Sequence, residues 1–228
     1  DRVAVEPIYK CDHCAPCRAG NYNVCQQIGF HGLMYDGGMA EYTVVPTSML
    51  HRLPDTVSLE LGALVEPMSV AYHAATLGDV SAGDTAMVFG AGPIGIGLWF
   101  ALRGKGLDDV FVVEPSPIRR AAIEALGAAT LDPTATDVPA FIADHTKGNG
   151  ADAVFDAAGV TPAVATALAC VGSRKPMISV AIYEKPLETP LLNLVMNESR
   201  IQGSLCYTGA DFEAVIGLMA DDKYDTTG

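Results

Sequence analysis

The sequence predicts an α/β fold, a doubly wound parallel sheet of six strands, preceded by an irregular β-rich region. Three observations carry the prediction. From about residue 80 onward, apolar strand-length runs alternate with amphipathic helix-length runs. Those strand runs are too apolar to face water on either side, as expected of a parallel sheet covered by helices on both faces. A glycine-rich turn stands where the first of these strands meets the first helix.

Taken in order, a strand is expected over 85–89, a helix from Pro93, a strand over 110–113, a helix over 117–126 and a short third strand near Thr130. A helix over 138–145, a strand over 153–155, a helix over 162–170 and a strand over 177–180 follow. A short helix near 191–195 and a last strand over 201–205 bring the count to the six strands of two mononucleotide-binding halves. From Asp211 a further helix begins, with no visible ending before Gly228.

The region before residue 79 reads differently. It holds the apolar run VAVEPI, a cysteine-rich lobe, a turn at Asp36-Gly37-Gly38 and the β-branched run 42–45. Leu61, Leu64, Met68, Ala71 and Tyr72 then recur at spacings of three and four, broken by Pro67, which predicts short helices joining two domains. Two domains, 1–78 and 79–228, are expected, the second including the start of a return to the first.

Composition sets limits. The chain has 228 residues, half of them hydrophobic, enough to bury a full core. Its 14 Lys and Arg against 27 Asp and Glu give a net charge of −13 with no basic run, which argues against nucleic acid as a partner. Polar and small residues interrupt every long apolar stretch, so no transmembrane helix is expected. The opening residues DRVAVEPIYK lack both a secretory pattern and an initiator Met, so the chain reads as begun partway through a longer sequence.

Four of the six cysteines, Cys11, Cys14, Cys17 and Cys25, fall within fifteen residues. Two-residue spacers let thiolates converge on one tetrahedral ion, which explains the cluster better than disulfides and implies a reducing, cytoplasmic setting. Four soft protein ligands close the coordination sphere, so the lobe reads as a structural zinc site. His13, inside the loop, is expected to be an exposed side chain, and Cys170 and Cys206 to be buried, inert thiols.

The second motif is Gly90-Ala91-Gly92-Pro93-Ile94-Gly95, directly after the strand run TAMVF. Gly90 suits the tight turn, Gly92 lets backbone approach a pyrophosphate at the helix N-terminus, and Gly95 lets the helix pack closely on the sheet. Pro93 fits a first helical turn, where its missing N–H has no acceptor to lose. Glu114, 19 positions beyond Gly95 at the end of VFVVE, can accept hydrogen bonds from an adenosine ribose and would repel a 2′-phosphate, which favours NAD over NADP. Arg119 and Arg120 open the next helix and read as solvated charges, with Arg119 placed to lie along an adenine edge.

The strings EPIYKCDHCAPCRAGNYNVCQQIGFHG, DGGMAEYTVVP, LGALVEPMSVAYHA and VFGAGPIG closely resemble the zinc alcohol, polyol and threonine dehydrogenases, nearest their butanediol dehydrogenase branch, over almost the whole length. The sequence departs at Asp12, where such enzymes commonly have Gly. The resemblance implies a Rossmann domain, a β-rich GroES-like catalytic domain on either side of it in sequence, and a catalytic zinc in addition to the structural one. It maps one ligand or near-ligand of that zinc onto Glu66, and implies that the remaining ligands belong to a segment before Asp1. It further matches Ala158 with Gly159, and Val180, Ala181 and Ile182, to nicotinamide-side contacts at carboxyl ends of strands.

The implied function is NAD-dependent oxidation of a small secondary alcohol to a ketone, of the 2,3-butanediol or acetoin type, with polyol or threonine dehydrogenation as the alternative. A second class of reading keeps NAD and zinc binding without turnover. The resemblance also implies a homodimer or homotetramer, with the apolar segment 201–207 as the pairing surface. His31, His51, His73 and His145 match no ligand position and are expected to be surface or internally satisfied side chains.

Overall fold

Short strands with little apolar cover begin the chain. The computed structural model describes residues 1–183, 185–189 and 191–224. Strand β1 (Val3–Val5) and β2 (Ile8–Tyr9) precede a one-turn helix α1 (Ala15–Arg18), then come β3 (Gly29–Phe30) and β4 (Leu50–Arg52). β1 pairs antiparallel with β4, placing Val3 opposite Arg52, and β2 pairs antiparallel with β3. The β-branched run 42–45 forms no strand. Tyr42 and Val44 are about nine-tenths exposed, at 90% and 91%, and an extended segment without a partner strand leaves its backbone groups to water.

Two helices follow, α2 (Leu59–Gly62), capped by the Ser58 hydroxyl accepting from the Leu61 N–H, and α3 (Val65–Leu77). Pro67 does not break α3. It occupies the first turn, where proline removes no intrahelical hydrogen bond.

The second region is the sheet. β5 (Thr85–Phe89), α4 (Pro93–Gly104), β6 (Asp109–Val113), α5 (Pro117–Ala125) and β7 (Ala129–Leu131) form one half. Helix α6 (Val138–His145), β8 (Ala153–Asp156), α7 (Thr161–Cys170), β9 (Pro176–Ser179), α8 (Leu191–Asn197) and β10 (Arg200–Gly203) form the other. All six strands run parallel in the order β10-β9-β8-β5-β6-β7, so chain order reverses between β5 and β8, where open α/β sheets bind ligands. The central strands are dry: Met87, Val88, Val154, Phe155 and Ile178 are fully or almost fully buried. That continuous burial on both faces is why these strands read as unbroken apolar runs.

A last helix, α9 (Gly209–Ala220), carries a capping box between Thr208 and Asp211 and buries Phe212, Val215, Ile216 and Met219. The chain divides into two compact units, Asp1–Val70 with Leu205–Asp222, and Ala71–Ser204 with the chain from Lys223. The first of these divisions falls within α3, between Val70 and Ala71. Residues 225–228 of the expected second domain lie outside the described residues.

Candidate functional sites: a four-sulfur cluster and a glycine-lined cleft

The lobe that carries the four cysteines has almost no apolar core. Over α1 no residue is buried, and within 11–25 only Cys14, Asn23 and Cys25 are. What converges is sulfur. The four Sγ atoms of Cys11, Cys14, Cys17 and Cys25 lie within 4.8 Å of one another, the one such ligand group among the described residues. Cys11 and Cys17 are 4.0 Å apart and Cys14 and Cys25 are 3.9 Å apart. A tetrahedral zinc with Zn–S bonds of about 2.3 Å separates its sulfurs by about 3.8 Å, so the cluster fits that ion.

Backbone geometry prepares the sulfurs for negative charge. The N–H groups of Cys11 and Gln27 donate to Cys25 Sγ at 3.4 and 3.3 Å, and that of Cys14 donates to Cys11 Sγ at 3.4 Å. Hydrogen bonds from backbone around Cys17 and Gln26 bring the Cys14 thiol down to about 6, while burial and neighbouring thiols push Cys17 up to about 12. Four thiolates so close repel one another unless a cation sits among them, which is the electrostatic reason for a metal here. His13 stays exposed, its Nδ1 2.7 Å from the Cys11 carbonyl. Asp12 takes a backbone φ of 61°, the left-handed conformation that glycine adopts without steric cost.

In the sheet unit, a cleft of about 550 Å³ opens at the carboxyl ends of the strands, within the size range of ligand pockets. Of the residues singled out in the sequence, Gly90, Gly92, Glu114, Arg119 and Ala158 border it. Gly90 turns with φ of 104°. A Cβ on Gly95 would lie 1.9 Å from the Gly90 carbonyl oxygen, so Gly95 acts by letting α4 approach the turn from beneath and does not border the cleft. Pro93 and Ile94 form the first turn of α4 and likewise lie outside the lining, as do Val180, Ala181 and Ile182 beyond β9.

Glu114 is nearly fully buried and braces the turn. Its carboxylate accepts from the Ala91 N–H and the Ser116 N–H, both at 2.9 Å. Arg119 is largely exposed with Nη1 3.6 Å from Glu114 Oε2. Arg120 corrects the expectation of a solvated charge. Its guanidinium donates to the carbonyls of Glu114 and Pro115 at 2.7 and 2.8 Å and pairs with Asp132 at 2.8 Å, because the side chain reaches back from the first turn of α5 to the strand end six residues before it. Pro133 and Thr134 also border the cleft. The run Asp132-Pro133-Thr134 at the end of β7 was the signal that could have revealed them.

In the other unit, Glu66 stands in the first turn of α3 and accepts a 2.7 Å hydrogen bond from the buried Tyr207 hydroxyl. That engagement removes Tyr207 from the apolar pairing surface expected over 201–207; Ile201 and Leu205 remain exposed. Cys206 is half-buried, so it is less enclosed than expected, and burial with Glu66 nearby pushes its thiol to about 11. Cys170 is buried and pushed to about 12 by that burial. His51 bridges two carboxylates, Glu6 at 2.9 Å and Glu213 at 2.5 Å, and His145 meets Asp109 at 2.6 Å.

Residues 93–221 match the zinc-binding dehydrogenase family and residues 1–55 match the alcohol dehydrogenase GroES-like domain. The chain is 40% identical to (R,R)-butanediol dehydrogenase of Bacillus subtilis strain 168, over 98% of this chain and 64% of that protein. The crystal structure of 2R,3R-butanediol dehydrogenase from Bacillus subtilis superposes with a TM-score of 0.90 at 39% identity, covering 99% of this chain and 64% of the other. An alcohol dehydrogenase from Escherichia coli CFT073, complexed with cofactor NADH, superposes with a TM-score of 0.89 at 27% identity, covering 99% and 66%. The chain thus spans about six tenths of the length of the curated relatives it matches, 59% and 64% for two of them.

Proposed function

The chain belongs to the zinc-binding dehydrogenases, and on that premise we propose that it serves the NAD-dependent oxidation of a secondary alcohol of the 2,3-butanediol or acetoin type. The observation that carries the cofactor half of this reading is the cleft bounded at one end by Glu114 and floored by the glycine turn. The glycine turn borders open space, since a Cβ on Gly92 would meet no atom within 4 Å, which leaves room for a pyrophosphate to approach the backbone there. Glu114, fixed by two backbone N–H groups, keeps lone pairs for ribose hydroxyls and repels a 2′-phosphate, so NAD is preferred to NADP.

Cys11, Cys14, Cys17 and Cys25 would hold a structural zinc with no coordination site left for substrate. When bound, NAD would supply the acceptor for the hydride leaving the alcohol carbon. Among the described residues Glu66 is not joined by two further ligand side chains, so these residues alone do not fit a second metal centre. Tyr207 fixes the Glu66 carboxylate, and their bond is this chain's own contribution at that end.

That gap favours a second reading, a chain that binds zinc and NAD without turnover. One sample separates the two. Metal content, NAD binding by calorimetry and NADH formation with 2,3-butanediol, sorbitol and threonine are measured together. Turnover fastest with the vicinal diol supports the first reading; one zinc per chain, bound NAD and no turnover supports the second. No NAD binding defeats both.

The edge strand β10, with Ile201 exposed, offers unpaired backbone to a second copy of the chain, and we assign the homodimer contact to it. A monomer by sedimentation would remove that assignment. Six unpaired thiols are consistent with a reducing compartment such as the cytoplasm, and no helix among the described residues is long and apolar enough to cross a membrane.

A further inference from the structure

Asp156, the last residue of β8, is fully buried, and its carboxylate accepts hydrogen bonds from the loops after β8 and β9. One oxygen accepts from the N–H groups of Ala158 and Gly159, at 3.0 and 3.1 Å. The other accepts from the Tyr183 hydroxyl at 2.6 Å, and that hydroxyl also lies 2.5 Å from Ser179 Oγ. The Asp156 carbonyl accepts from the N–H groups of Val180 and Ala181, at 3.0 and 3.1 Å. One residue therefore ties together the loop after β8 and the loop after β9.

The two loops also touch directly. Gly159 has a φ of 68°, and a Cβ there would come within 3.0 Å of the Ala181 Cβ and 3.2 Å of the Ile182 carbonyl oxygen. The glycine turn leans on the same place, since a Cβ on Gly90 would lie 3.2 Å from the Ala157 carbonyl carbon. Ala157 and Ala158 border the cleft.

Strand order says which part of a ligand meets them. Glu114 directly follows β6, the glycine turn directly follows β5 and Asp156 ends β8, on the opposite side of β5 from β6. A dinucleotide with its adenosine at Glu114 and its pyrophosphate at the glycine turn lays its second nucleoside over β8. We propose, resting on the cofactor reading above, that Asp156 with Tyr183 is a positioning pair that sets the wall for the nicotinamide half of NAD. Neither side chain is assigned contact with the reacting atoms.

The test compares NAD with ADP, which lacks the second nucleoside, by calorimetry on the protein and three variants. Asp156→Ala removes every side-chain bond and weakens NAD about tenfold, as expected for loss of several buried hydrogen bonds, while ADP stays within about twofold. Tyr183→Phe removes only the link to the second loop, on a half-buried side chain, and weakens NAD about threefold. Asp156→Asn restores near-normal NAD affinity, because its carbonyl oxygen can accept from both N–H groups while its amide donates to the Tyr183 oxygen. Equal weakening of NAD and ADP, or no change in the Asp156→Ala and Tyr183→Phe proteins, overturns the assignment while leaving the cofactor reading intact. Failure of the unaltered protein to bind either nucleotide overturns the cofactor reading and this one with it.

Discussion

The cysteine lobe and the parallel sheet fix their functional loops by opposite means. In the sheet, fully buried side chains such as Met87, Val154 and Ile178 hold the strands, and the glycine turn and the Asp156 loop inherit their positions from strand ends. In the lobe a single turn of helix with no buried residue, and a single turn of 3₁₀ helix over Tyr22–Val24, rest on polar contacts: the converging sulfurs, the Tyr22 hydroxyl donating to Glu6 at 2.7 Å and the Asn23 amide donating to the Leu205 carbonyl at 2.8 Å. Hydrophobic burial scales with area and tolerates the loss of one contact. A four-ligand cluster is close to all-or-none, because removing one ligand leaves three thiolates without their cation.

The largest expected effect follows from that asymmetry. Cys25→Ser, or chelation of the metal, should abolish the order of residues 11–20, since structural zinc is worth roughly 10 kcal/mol or more in small zinc domains. The sheet unit should persist. Trp99 is the one tryptophan and lies buried in α4, so its fluorescence reports the sheet unit separately, while proteolysis near Arg18 reports the lobe. Loss of zinc with unchanged Trp99 emission and unchanged NAD binding is expected; simultaneous collapse of both signals would erase the contrast.

The opposite insult is Gly95→Ala. The added Cβ would lie 1.9 Å from the Gly90 carbonyl oxygen, and backbone cannot give way as a flexible side chain can. A cost of about 3 kcal/mol, the upper end for overpacking, is expected in the sheet unit, together with loss of NAD binding. Zinc content should remain unchanged. An unaltered NAD affinity would show that the turn does not need the close approach of α4.

How much of this was legible in the sequence follows the same division. The sheet was readable nearly residue by residue, because continuous burial writes unbroken apolar strands and the caps write proline at helix starts, as at Pro93 and Pro117. The sulfur cluster was readable because its spacing is a chemical constraint on the chain itself. The Tyr207 bond to Glu66 was not, since it joins residues 141 positions apart and no local pattern records such a partner. Arg120 was misread for a related reason: a charged residue in a surface helix is ordinarily solvated, and only the fold shows three acceptors within its reach. The run 42–45 misled by propensity alone, because a strand needs a neighbour that propensity does not supply.

Outside both the cluster and the sheet, His51 holds α9 to β4 through electrostatics. Both ring nitrogens face carboxylates, Glu6 and Glu213, and only the protonated imidazole donates from both. The Glu6 hydrogen bond, opposed by burial and aided by Glu213, raises its pKa above the usual 6.5. Because the folded value exceeds the unfolded one, the stabilisation is complete below about pH 6.5 and is lost as pH rises through the elevated folded value. Hydrogen exchange of the α9 amides should therefore quicken on the alkaline side by several-fold, and His51→Gln should remove that pH dependence. An exchange rate in α9 that follows only the intrinsic chemical rise with pH would assign the link to packing, through the 4.6 Å contact of His51 with Phe212.

The smallest effect is the sharpest test of how the lobe is built. Asp12 is left-handed at a φ of 61° between Cys11 and Cys14, where the chain must turn two sulfurs toward one point. Asp tolerates this conformation better than most residues, but at a conformational cost that glycine avoids, while glycine gives the unfolded chain more freedom to lose. The lobe's one acidic side chain also sits 3.6 Å from Lys10, an exposed pair of little worth. Asp12→Gly should accordingly stabilise the zinc-loaded lobe by about 0.5 kcal/mol, seen as slower zinc transfer to a chelator, with Trp99 fluorescence and NAD affinity unmoved. Faster zinc loss would mean that the aspartate orders the loop more than its backbone strains it, and that the sulfurs are held by side-chain contacts as well as by the turn.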